Sequence, residues 1–224
     1  MLKKDFEFEF DKSVLLSYAG RAVEKKLQDP RNSDVFERAK QRFNDLVRPL
    51  AVWNRFAVDK YEHEKVLLYN GTKIGNGPFV EVVAGAEELV IVVCTVGKKL
   101  EEHAKKLMKT GSALDGIILD GMASWAVDNI RCQFYDWISA DLHANEGFRT
   151  STFLSPGESV WSIYDQEVIF ALLAGDIPEH AVTLTESNVM VPFKSLSMVF
   201  GIGPNEMGSE GETNCDVCSM KDVC

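Results

Sequence analysis

The 224 residues, 46% of them hydrophobic, suffice for one sizeable domain that folds without disulfides. The formal net charge is -10, and no basic stripe with interleaved aromatics occurs, so nucleic acid is not an expected partner. The longest unbroken aliphatic run, Leu89 to Cys94, falls far short of the roughly 20 residues that cross a bilayer. A cytoplasmic protein without a membrane partner is the expectation.

Met1 to Phe10 alternates Phe6, Phe8 and Phe10 with acids and reads as an amphipathic strand, not as a basic region ahead of an apolar signal core. Ser13 to Leu27 reads as a first helix, stopped by Asp29-Pro30. A second starts near Ser33, places Phe36, Ala39, Phe43 and Leu46 at helical spacing, and ends at Arg48-Pro49. Val66 to Tyr69, Phe79 to Val83 and Leu89 to Val96 are short β-branched or apolar runs, separated by Asn70-Gly71, the Gly75 to Pro78 cluster and Gly85, and are predicted as strands. The third is apolar throughout, as a central strand should be.

From Lys98 the period turns helical, with Leu100, Ala104, Leu107 and Met108 on one face and Gly111 as a stop. A longer helix is predicted from about Leu114 to Leu142. After a turn at Ser155-Pro156-Gly157 come a helix from about Tyr164 to Ala174 and strand-like runs at Ala181 to Leu184, Val189 to Val191 and Leu196 to Ile202. This order predicts an α+β fold with a mostly antiparallel central sheet flanked by helices. Both strand groups are expected to join one sheet. Composition shifts only at Gly203, so residues 1–203 are taken as one domain and 204–224 as a flexible connector and cysteine tail.

Of five cysteines, Cys94 and Cys132 fall within apolar or helical patterns, whereas Cys215, Cys218 and Cys224 crowd the end. That segregation argues for reduced thiols with a metal site in the tail. A C-x-x-C turn points both sulfurs one way, and Cys224 follows after five residues. The three suit an iron-sulfur cluster with one iron left to another ligand, or a zinc site completed by His180, Asp216 or Asp222. An unmetallated tail is the third reading. His63, His103 and His143, flanked by charged or polar residues, read as surface histidines.

Three stretches give the chain its likeness to known proteins. Thr95-Val96-Gly97 leads an amphipathic helix, followed by Ile118-Leu119-Asp120-Gly121 in a long one. Ser155-Pro156-Gly157 leads into a helix carrying Gln166. Leu184-Thr185-Glu186-Ser187 is followed by Met190, Pro192 and Lys194-Ser195, closing on Gly201-Ile202-Gly203. In order and spacing these resemble the activation-domain family of vitamin B12-dependent methionine synthase, particularly its small stand-alone members with a C-terminal cysteine cluster.

The resemblance implies a protein that binds S-adenosylmethionine and presents its methyl group to cobalamin carried by a partner. One-electron reduction of inactive cob(II)alamin by a separate donor, then methyl capture, restores methylcobalamin. The cobalt does the chemistry and the protein binds and orients. No general base or activated nucleophile is required, and the sequence holds no nucleophile elbow, H-E-x-x-H or Gly-rich phosphate loop.

Such a ligand asks for carboxylates near its sulfonium and a cation for its carboxylate. In the family's pattern an arginine lies two residues ahead of the Ser-Pro turn and a tyrosine follows the glycine; here Phe153 and Glu158 stand there. Phe153 cannot pair with a carboxylate, which predicts weak S-adenosylmethionine binding or none, and Glu158 is a candidate site residue that either repels the ligand's carboxylate or attracts its sulfonium. Arg149, the nearest cation in sequence, either reaches into the site from the loop in place of the missing arginine or is a surface arginine. Asp128, eight residues past Asp120, matches a ligand-contacting acid of the family, and is otherwise a solvated helix residue. Glu186 is either a site residue or part of a polar turn. Trp125, Trp137 and Trp161 offer a flat face for a corrin ring or fill the core.

Three functions follow. The first is an accessory reactivation protein for a cobalamin-dependent methyltransferase of methionine synthase type, taking part in corrinoid methyl transfer if it is an enzyme at all. The second is an iron-sulfur protein that docks on or delivers electrons to a corrinoid protein and no longer binds S-adenosylmethionine. The third is a non-catalytic interaction module that keeps only the fold.

Overall fold

The computed structural model describes residues 1–12, 18, 21–27, 29–158 and 161–207. The helices are α1 (Arg21–Leu27), α2 (Val35–Leu46), α3 (Pro78–Val82), α4 (Lys98–Lys109), α5 (Ala113–Glu146) and α6 (Asp165–Leu172). The strands are β1 (Leu2–Lys3), β2 (Leu50–Glu62), β3 (Lys65–Leu68), β4 (Lys73–Ile74), β5 (Glu88–Thr95), β6 (Arg149–Thr150), β7 (Thr183–Leu184), β8 (Met190–Val191) and β9 (Ser195–Gly203). Seven strands form one sheet in the order β4-β3-β2-β5-β9-β6, with β1 also on β2, and every pairing is antiparallel. Segregated helices on an antiparallel sheet make the predicted α+β class.

β5 is apolar from Leu89 to Cys94 because that stretch is covered on both faces. Val90, Val92 and Cys94 join Met198 and Phe200 of β9 under the helices, against Ile118, Leu119, Phe134 and Phe43. Leu89, Ile91 and Val93 join Val199 on the other face, against Phe79, Trp161, Ile169 and Leu173. The period-2 alternation of strand side chains sends neighbours to opposite cores.

Three expectations are corrected, and one strand, β2, has no counterpart in the sequence reading. β2 is the longest strand, yet Asn54, Arg55, Asp59 and Lys60 break its apolar pattern; it begins directly after Pro49 and spans two neighbours, pairing β5 over Leu50 to Ala57 and β3 beyond. Phe79 to Val83 is not a strand but lies in and just past α3: Pro78 opens the helix, and Phe79 and Val82, one turn apart, both face the core. β7 and β8 pair only with each other, as a separate hairpin. At the N-terminus only Leu2–Lys3 pairs as strand, while Phe8 and Phe10 pack edge-on against Phe43 at 5.2 and 4.7 Å. Of the predicted first helix, Ser13 to Ser17 lie outside the described residues, as do Cys215, Cys218 and Cys224.

Candidate functional site

Residues 149–154 run antiparallel along the outer edge of β9. Arg149 faces Gly203, Thr150 faces Ile202, and Leu154 exchanges both backbone bonds with Val199. The chain then turns at Ser155-Pro156-Gly157. Gly157 has φ +92°, and a Cβ there would come within 2.7 Å of Ile163 Cδ1, so both the backbone and the close approach require glycine. Glu158 braces the turn by accepting the Ser155 N–H at 3.1 Å.

Asp165 anchors the start of α6. Its carboxylate accepts from the Gly75 N–H at 2.7 Å and from Trp161 Nε1 at 2.6 Å, with Lys65 at 3.6 Å. Gln166, the next residue, is thereby fixed behind the turn, where its amide Nε2 reaches the Pro156 carbonyl at 3.4 Å.

Opposite the turn lies the segment from the β7–β8 hairpin into β9. Between the two sides opens a cleft of about 310 Å³, lined among others by Ser155, Glu158, Gln166, Asn188, Phe193 and Ser197, at the small end of the usual range for small-molecule sites. Among the described residues, four buried side-chain polar atoms lack a hydrogen-bond partner: Ser155 Oγ, Gln166 Oε1, Ser197 Oγ and Arg131 Nε. The first three belong to residues lining this cleft, and the fourth to an arginine paired with Glu158. Leaving such a group unsatisfied costs about 1–3 kcal/mol, so natural interiors satisfy them with protein, water or ligand. Three of them line one opening, which makes the cleft the candidate polar site.

Sequence alone does not single out Arg131, although it is the sole Lys or Arg in the 34 residues of α5. Its guanidinium lies 2.9 Å from Asp128 and 3.5 Å from Glu158, and 4.8 Å from the centre of the Phe153 ring. Phe153 itself packs on the helical core, edge-on to Tyr135 at 5.1 Å. A cation therefore does stand over Phe153, but it comes from α5 and is already shared by two carboxylates. The Asp128–Arg131–Glu158 trio carries a net charge of -1, which suits a cationic group better than a second carboxylate.

Arg131 thus ties two of the expected site residues, Asp128 and Glu158, together. Arg149 is set apart: it sits at the far end of β9 in an ion pair with Glu206, roughly 20 Å along the strand from Ser197 at 3.3 Å per residue. Glu186 is exposed in the β7–β8 turn, where Thr185 Oγ1 accepts the Val189 N–H at 3.1 Å, the arrangement of a polar turn.

The other motif residues tie the elements together. Ser195 Oγ donates to Thr95 Oγ1 at 2.9 Å, and Lys194 Nζ reaches Asp120 at 2.9 Å and Ser124 at 2.8 Å. The tryptophans do not share a face: Trp161 is buried against Phe79 beneath the other side of the sheet, Trp125 packs on Phe10, and Trp137 is partly exposed beside Trp53. His63, His143 and His180 are exposed and His103 is half-buried. Burial pushes the Cys94 thiol up to about 12, so it stays protonated at neutral pH. Among the described residues no group of three or more His, Cys, Asp or Glu side chains is placed to hold a metal. No described helix is long and apolar enough to cross a membrane.

No family model matches the sequence, and no curated protein matches it. A solved structure does: the crystal structure of the MetH reactivation domain bound to AdoHcy. The TM-score is 0.55 at 15% identity, covering 90% of this chain and 72% of that one. The fold is similar to that of the MetH reactivation domain. At this identity the likeness is one of fold.

Proposed function

We propose that the chain is an accessory reactivation protein for a cobalamin-dependent methyltransferase of methionine synthase type, acting on the corrinoid of a partner. The observation that carries the reading is the cleft. Two of the three sequence stretches with the family likeness, Ser155-Pro156-Gly157 with Gln166 and Met190 with Ser195, meet around it, on a fold similar to a domain solved with AdoHcy.

A ligand of the S-adenosylmethionine class fits the donor set. Its hydroxyl and amino groups suit Ser155 Oγ, Ser197 Oγ and Gln166 Oε1, and its sulfonium suits the negative Asp128–Arg131–Glu158 trio. Its carboxylate finds only a cation already paired, so binding is weak. When bound, the ligand supplies the methyl group; the chain's residues hold it and screen it from water.

The engaged state of Arg131 also supports the second reading, a corrinoid-docking or electron-delivery protein that uses an iron-sulfur cluster on Cys215, Cys218 and Cys224 and needs no S-adenosylmethionine. Both readings meet one experiment. A methionine synthase lacking its own reactivation domain is converted to the cob(II)alamin form and incubated with the chain and a one-electron reductant, with and without S-adenosylmethionine. Recovery that requires both chain and S-adenosylmethionine supports the first reading. Faster cobalt reduction without it supports the second. No effect of the chain on either overturns both.

A further inference from the structure

On the β2 side of the Thr95–Ser195 hydroxyl pair opens a larger cavity, of about 520 Å³, apart from the cleft. Its lining includes Lys4, Arg48, Lys98 and Lys99 over an apolar floor that contains Leu50 and Pro178. Elsewhere in this chain of net charge -10, Lys60, Lys65, Lys73, Lys105 and Lys194 each pair with an acid, but no described acid lines this cavity. None of the four cavity cations makes an ion pair among the described residues. Arg48 is held, not neutralised: its guanidinium donates to the carbonyls of Asp45 and Val47 at 3.1 and 2.6 Å.

Gly97, at φ +86°, lets the start of α4 lie against Arg48, since a Cβ there would come 3.1 Å from Arg48 Cβ. Lys98 and Lys99 are the first two residues of that helix, and no side chain caps it. Four positive charges with no acid partner among the described residues, around one opening, attract an anion of more than single charge, and the floor adds contact for an apolar body.

We infer that this cavity binds a small molecule carrying a dianionic phosphoryl group on an apolar body. It is a second site, independent of the cleft and of the function proposed for it. The phosphoryl group sits among Arg48, Lys98 and Lys99, and the apolar part covers Leu50 and Pro178.

The test uses the intact chain at low ionic strength, titrated calorimetrically with phenyl phosphate, inorganic phosphate and benzyl alcohol. Phenyl phosphate is expected to bind more tightly than either of the others and to weaken as salt rises. The Lys98→Gln/Lys99→Gln variant, changed at exposed positions, should lose roughly tenfold or more in affinity. Lys106→Gln/Lys109→Gln, later on the same helix, should lose little. Equal loss in both variants overturns the site in favour of diffuse attraction. Phenyl phosphate binding no better than benzyl alcohol or inorganic phosphate also overturns it. So does binding of an acidic peptide but not of phenyl phosphate, which marks a protein partner instead.

Discussion

The two faces of the sheet are closed in different ways. Under α2, α4 and α5 the cover is continuous: Phe43, Ile118, Leu119 and Phe134 are fully buried against Val90, Val92 and Phe200. The opposite face is covered by the short helices α3 and α6 with the loops around them, and there β9 turns Ser195 and Ser197 inward instead of apolar side chains. The polar atoms without partners gather at that second cover and its rim. One face is sealed throughout and the other leaves the polar cleft beside its core, a division that substitutions on each side can break.

The largest effect belongs to the sealed face. Phe134→Ala leaves a cavity between α5 and the sheet and should cost about 3–5 kcal/mol in denaturant unfolding, without selective loss of any cleft ligand. At the rim, Arg131→Met leaves Asp128 and Glu158 facing each other and removes the contact with Phe153. A loss of about 1–3 kcal/mol is expected, together with a change in cleft binding that Phe134→Ala does not show.

A smaller effect tests how the sealed cover is pinned. Asp115, near the start of α5, accepts from Arg38 at 3.2 Å and also pairs with Arg42. Burial alone would raise its carboxyl, but the two arginines outweigh it and hold it below the usual carboxylate range. The group thus adds stability above the ordinary carboxylate value, and this is lost as pH falls through the lower folded value. With both arginines about a third or more exposed, the contribution is about 1 kcal/mol. Asp115→Asn should be less stable at neutral pH and show a shallower loss in acid unfolding below about pH 4.

The smallest change in stability is expected on the open face. Ser197→Ala removes a buried polar atom with no partner, and Gln166→Leu removes another together with the 3.4 Å bond to the Pro156 carbonyl, so unfolding free energy should stay within about 0.5 kcal/mol of wild type or rise in the first and fall by no more than about 1 kcal/mol in the second. If either variant were strongly destabilised, the polar atoms would be parts of the fold and the contrast between the faces would fail.

The sealed face was legible in the sequence. Helical spacing announced α2, α4 and α5, and the unbroken apolar run of β5 announced a strand buried on both sides. β2 was hidden because half of it extends past the core, where Asp59 and Lys60 need no apolar alternation. Phe79 and Val82 read as a strand because three or four residues cannot separate a short apolar run from one helical turn. On the open face the sequence carried the turn and its glycine, but not Arg131. A long-range pair between a helix residue and Glu158 has no local signature beyond a lone basic residue in a long, mostly apolar and acidic helix. Arg149 was nearer in sequence and farther in space, because β6 carries it along β9 away from the cleft.

On the function proposed here, the unpartnered atoms of Ser155, Gln166 and Ser197 receive a ligand of the S-adenosylmethionine class, held without a free carboxylate clamp. Calorimetric titration of the chain and of Gln166→Leu with S-adenosylmethionine tests it most directly. Wild type is expected to bind with a Kd above about 10 µM, weakened by the lost clamp, and Gln166→Leu to lose roughly tenfold or more beyond that. A Kd in the low micromolar range, no binding at millimolar ligand, or equal affinity in the two proteins would contradict it.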